Sequence, residues 1–157
     1  MRLEYFDIID SVDVFDVKNG HVETSSRVPE KSTVFEGHFP GHPLMPGVLL
    51  LETMAQTSGW LVVAANNFER MAFLAAVKEA KFRTFVTPGQ VMSVTAQLSH
   101  DGSGYAITEA NISIDGKSVC DATLTLRILK FPNEEMKLKM HETAARVGFP
   151  GEAQANA

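Results

Sequence analysis

Residues 48 to 66, "VLLLETMAQTSGWLVVAAN", contain no proline, consist largely of helix formers and carry apolar side chains around almost the whole circumference of a helix. A surface helix keeps a polar side for water; this one does not, so the rest of the chain must enclose it. The preceding stretch, "GHFPGHPLMPG" at 37 to 47, holds three prolines and three glycines in eleven residues. That composition excludes helix and central strand and makes a stiff, shaped loop, which marks the neighbourhood for chemistry.

The enclosure is expected to be a sheet. Residues 4 to 17 alternate imperfectly but are rich in β-branched and aromatic side chains, "KNG" turns the chain, and residues 21 to 28 form the hairpin partner. Beyond the helix, strands are expected over 70 to 82, 91 to 99, 105 to 114 and 117 to 130, separated by "TPGQ", "DGSG" and "DG". In the last strand Cys120, Ala122, Leu124, Leu126 and Ile128 alternate with polar residues, so one face points inward. Strands, one enclosed helix and a run of antiparallel strands make an α+β chain with a sheet wrapped around a helix. Residues 1 to 132 are expected as one domain. Residues 133 to 157 form an extension, with a short helix capped by Asn133 and a frayed end at "FPGEAQANA".

Several function classes are disfavoured. The net charge is −5 and no lysine or arginine block is long enough to track phosphates, so no nucleic-acid partner is expected. Cys120 is the sole cysteine, which forbids an internal disulfide, suits a reducing compartment and reads as a small strand residue. "MRLEYFDIID" has neither a basic leader nor an apolar signal core, and the longest apolar stretch, 60 to 65, is far short of the ~20 residues that span a bilayer. A soluble, cytoplasmic protein without membrane insertion is the expectation.

Three elements around the loop and helix suggest acid–base chemistry. Glu52 has Val48, Leu49, Ala55 and Gln56 as its helical neighbours, so a carboxylate sits on a mostly apolar face. Burial there would be costly unless the acid is paired, hydrogen-bonded or used; the alternatives are a gap to solvent or simple satisfaction by Gln56. His38, stiffened by Pro40 and Pro43, suits a base near neutral pH, although a loop histidine is also a common surface residue. His42 follows four residues later, but the prolines prevent helical pairing and no acid or cysteine cluster accompanies it, so no metal or other cofactor is expected. "MPGV" opens the helix with bare backbone N–H groups at Gly47 and Val48, a place for an anionic oxygen or only a helix entry.

Together, "GHFPGHPLMPGVLLLETMAQTSG" resembles the active-site motif of FabZ-type β-hydroxyacyl-acyl carrier protein dehydratases, G-H-F-P-x-x-P-x-x-P-G-V-L-x-x-E-x-x-A-Q, at every fixed position. "FDIIDSV" at 6 to 12 and "AKFRTFVTPGQ" at 80 to 90 are similar to two further family segments, and the resemblance runs from about Phe6 to Lys130. It implies a hot-dog fold and a homodimer whose sites combine the histidine of one subunit with the acid of the other; further assembly to a trimer of dimers stays open. It implies dehydration of (3R)-3-hydroxyacyl-acyl carrier protein to the trans-2-enoyl product, with His38 as base, Glu52 as acid, Gly47 and Val48 at the thioester oxygen, and Gln56 orienting Glu52. The FabA type has aspartate where this chain has Glu52, which favours dehydration without isomerisation. A hot-dog thioesterase and a non-catalytic carrier-binding subunit are the competing expectations.

The acidic carrier would have to be met locally, by Lys78, Lys81 and Arg83 after the central helix and by Arg127 and Lys130 at the end of the last strand. The chain departs from the family pattern in its shortened lead-in, in Ala76-Val77-Lys78 where the pattern has G-I-D, in Gln90 where it has an acid, and in its tail beyond Lys130.

Overall fold

The structure is a computed structural model that describes residues 1–149. Six antiparallel strands form one sheet: β1 (Ser11–Asp16), β2 (His21–Arg27), β3 (Arg70–Phe82), β4 (Val91–Gly102), β5 (Tyr105–Ile114) and β6 (Lys117–Lys130), in the order β1-β2-β4-β5-β6-β3. Three helices accompany it: α1 (Thr33–Gly37), α2 (Gly47–Ala65) and α3 (Glu134–Arg146).

The sheet curls around α2, and the alternation seen in the sequence decides which side chains face the helix. Met92, Val94 and Ala96 of β4, Ala110 and Ile112 of β5, and Leu124 and Leu126 of β6 are buried against Leu50, Met54 and Leu61 of α2. Each such large side chain contributes about 1.5–3 kcal/mol by leaving water. By length and composition α2 is apolar enough to cross a membrane; here just over half of that stretch is buried within the protein. Hydroxyls fix how the helix sits. Thr57 donates to the Thr53 carbonyl at 3.0 Å and receives the Thr24 hydroxyl at 2.8 Å, while Thr108 donates to Ser58 at 2.8 Å. Sliding α2 along the sheet would strand these buried groups, so the bonds specify register as well as stability.

Four details differ from the sequence expectations. The first strand begins at Ser11, because Leu3–Tyr5 curls into a 3-10 turn that buries Leu3 and closes an Arg2–Asp7 bridge. β4 continues past Ser99 to Gly102, pairing with Tyr105 across the tight turn. α1 was not foreseen. Phe149, expected in the frayed end, is buried against Phe15, Trp60 and Phe68; the rest of that end lies outside the described residues. Cys120 faces the core, and burial pushes its thiol up to about 11 against the opposing charge of Arg83, so it stays protonated at neutral pH.

α3 starts at the expected cap, with Asn133 accepting from the Met136 N–H at 2.8 Å. Its far end is tied down by Arg146, which donates to Asp7 at 2.6 Å, and Arg2 holds the other Asp7 oxygen at 2.9 Å. Partial burial raises the Asp7 pKa, but the two guanidinium groups outweigh it and keep the carboxyl below its ordinary 3.8. The stability this gives is present above that ordinary value and is lost as pH falls through the lower folded value. Asp7→Asn is expected to cost about 1 kcal/mol or less at neutral pH, since both arginines are half-exposed or more. Thermal melts of both proteins should converge on acidification; a pH-independent difference would show that the ion pairs are not its source.

Candidate active site

The loop that carries His38 is held from both sides. Before it, Ser32 caps α1 by accepting from the Val34 N–H at 3.1 Å, and Glu4 receives the Ser32 hydroxyl and the Thr33 N–H. The Ser32 bond is the largest influence that holds the Glu4 carboxyl down at about 2. After it, Leu44 N–H donates to the His38 carbonyl and Met45 N–H to the Val86 carbonyl, each at 2.8 Å. The glycine at 41 takes φ +72°, which lets Phe39 and His42 close the tight turn between these anchors.

His38 Nδ1 lies 3.0 Å from the Leu44 carbonyl oxygen. A carbonyl only accepts, so Nδ1 must carry the proton and donate it, leaving the Nε2 lone pair available. The ring, half-buried, stacks on Phe39 with centroids 4.4 Å apart. It borders a cleft of about 520 Å³ with Leu44, Gly47, Phe82, Phe85 and Val86. Gly47 is the first residue of α2. Leu49 and Leu50 turn their N–H groups back to the Pro46 carbonyl, which leaves those of Gly47 and Val48 without an intrahelical acceptor at the positive end of the helix. A Cβ at Gly47 would come within 3.2 Å of the Phe82 ring, so the bare backbone keeps this corner open.

Glu52 and Gln56 stand elsewhere. They line a second cavity of about 500 Å³, bounded by α2, β3 and α3. Gln56 Nε2 donates to Glu52 Oε1 at 2.9 Å and to the Phe6 carbonyl at 2.8 Å, so one amide group tethers the carboxylate to the N-terminal segment. Glu52 is half-buried, not enclosed as its apolar neighbours suggested. Within one chain, therefore, His38 and the start of α2 at Gly47 share one cleft, and Glu52 lines another. Sequence reasoning missed the Leu44 and Phe6 carbonyls, which no residue type announces, and the Phe82 ring. Of the cations expected to meet a partner, Lys78 and Lys81 are exposed, while Arg83 donates to Asp121 across the β3–β6 pair. Among the described residues, no group of three or more His, Cys, Asp or Glu is placed to hold a metal ion.

A family model, the FabA-like domain, matches residues 2–123 and so takes in every element from the 3-10 turn to the first half of β6. The chain belongs to the FabA-like family. The match begins upstream of Phe6, where the motif similarity sets in. Among FabA-like relatives, the 3-hydroxyacyl-[acyl-carrier-protein] dehydratase FabZ of Levilactobacillus brevis is 40% identical over 92 residues, 58% of this chain and 62% of that protein. The FabZ of Streptococcus pyogenes is 35% identical over 113 residues, 71% of this chain and 81% of that one. The fold is the FabA-like hot-dog. A conserved protein of Pseudomonas aeruginosa superposes with a TM-score of 0.64 at 21% identity, covering 82% of this chain and 94% of its own. A mutant thioesterase from the same organism does so at 0.60 and 18%, covering 76% and 81%.

Proposed function

We propose that this protein dehydrates 3-hydroxyacyl thioesters carried on an acyl carrier protein, as a cytoplasmic hydro-lyase of lipid synthesis that works as a homodimer. The observation that carries the chemistry is the His38–Leu44 hydrogen bond, which puts the proton on Nδ1 of a ring that lines the same cleft as Gly47 and keeps Nε2 for the substrate. Nε2 removes the C2 proton of the substrate. The electron pair of that C–H bond becomes the C2=C3 double bond as the C3–O bond breaks, and protonated Glu52 gives its proton to the departing hydroxyl, which leaves as water. Charge that builds on the thioester oxygen is met by the N–H groups of Gly47 and Val48. A trans-2-enoyl thioester remains, with His38 charged and Glu52 ionised until the proton returns through solvent.

A second copy supplies the missing half of each site. β3 is an edge strand whose Phe73 and Leu74 are 44% and 42% exposed, and Val48 at the start of α2 is 71% exposed. An open strand edge beside exposed apolar side chains is unfavourable in a lone subunit and suits pairing with its own copy. Lys78 and Lys81 on the same strand, with Arg83 just after it, form the basic rim proposed to meet the acidic carrier.

The thioesterase neighbours share the fold, and fold alone does not choose a reaction. The products do. Incubation with a 3-hydroxyacyl-carrier substrate is expected to yield a conjugated enoyl thioester with the thioester bond intact. Release of free carrier thiol without enoyl formation would make the protein a thioesterase.

A further inference from the structure

The cavity that holds Glu52 has one wall from outside the family match. Its floor is a single face of α2, where Glu52, Ala55, Gly59 and Val63 follow at three- and four-residue steps. Phe73 and Leu74 of β3 form one side, and Met136 and Met140 of α3 form the other. The match ends at residue 123, whereas α3 spans Glu134–Arg146. This helix is firmly seated: besides the Arg146–Asp7 bond, Lys137 donates to Glu69 at 2.7 Å and the Val12 N–H donates to the Val147 carbonyl at 2.8 Å. Directly beyond it, Phe149 anchors the chain in the aromatic cluster with Phe15 and Trp60.

Gly59 deepens the same cavity. Glycine is a poor residue for a helix interior, and no heavy atom within 4 Å of a Cβ at 59 forces its choice. The missing side chain leaves volume open between the catalytic acid and the methionines of α3. Methionine is an unbranched, adaptable lining residue, well matched to a flexible hydrocarbon chain.

We infer that α3 is the end wall of the acyl pocket and sets the length of chain this protein accepts, the acyl group passing Glu52, lying over Ala55 and Gly59 and ending against Met140. This rests on the dehydratase function proposed above. A neighbouring subunit's helix is the other candidate to cover this face, and the variants below separate the two.

The test compares wild-type protein with Gly59→Leu, Met140→Trp and Met140→Ala, using 3-hydroxybutyryl and progressively longer 3-hydroxyacyl chains on acyl carrier protein. Thermal melts and size-exclusion chromatography check the fold and assembly of each variant. The two enlarging changes should leave 3-hydroxybutyryl turnover near wild type and lower kcat/KM for the longest accepted chains by about tenfold or more, the value of a methylene that can no longer be seated. Met140→Ala, which only removes atoms, should shift the profile toward longer chains even if an enlarged variant does not fold. Parallel length profiles in folded variants would overturn the inference, as would dissociation of Gly59→Leu into monomers, which would assign this face to a subunit contact. Wild-type protein that dehydrates no chain of any length would instead refute the dehydratase function itself.

Discussion

His38→Ala is expected to lower the dehydration rate by about a hundredfold to ten-thousandfold while the protein keeps its fold, because it deletes the group proposed to take the C2 proton. The imidazole donates to one loop carbonyl at 3.0 Å and stacks on exposed Phe39, so its removal costs little packing. Glu52→Gln should be as damaging for a different reason. The amide keeps the size of the side chain and can still bond Gln56, but it has no acidic proton for the leaving hydroxyl. Glu52→Asp retains the acid and draws it back by one methylene, so a large loss there would show that position matters as much as chemistry. Either of the first two variants near full activity, with circular dichroism confirming the fold, would remove that residue from the mechanism.

The extent to which these features are legible in the sequence depends on how local their causes are. β5 and β6 begin where the sequence places them because "DGSG" and "DG" turn the chain, Gly104 and Gly116 taking the positive φ those turns need, and strict alternation fixes the buried face of β6. α2 is legible because proline stops upstream of it and its apolar residues run all round. α1 is too short for any periodicity to show, and its only local sign is Ser32 ahead of Val34 and Phe35. The 3-10 turn at Leu3–Tyr5 hides inside a segment whose aromatic and β-branched content reads as strand.

At the site, the fixed motif places His38, Gly47, Glu52 and Gln56 by spacing. The tautomer of His38 is another matter, since it depends on a loop returning Leu44 to the ring six residues on. The apolar neighbours of Glu52 suggested a buried acid, yet its face of the helix borders the cavity between β3 and α3, and there it is half-exposed. The seat of α3 depends on Asp7, Glu69 and Val12, all distant in sequence, so its cap could be read while its place could not.

The separation of His38 and Glu52 into two clefts gives the second large effect. If each site takes the base from one subunit and the acid from the other, a dimer of His38→Ala with Glu52→Gln has one dead site, bearing both changes, and one intact site. Random exchange at equal amounts makes half the dimers mixed, so about a quarter of wild-type activity should return from two nearly inactive proteins. The decisive measurement is enoyl thioester formation by that mixture after exchange has been verified with differently tagged subunits. Recovery toward a quarter of the wild-type rate is the predicted result; no recovery in a mixture that demonstrably contains mixed dimers would contradict a catalytic site built from His38 and Glu52 of two copies.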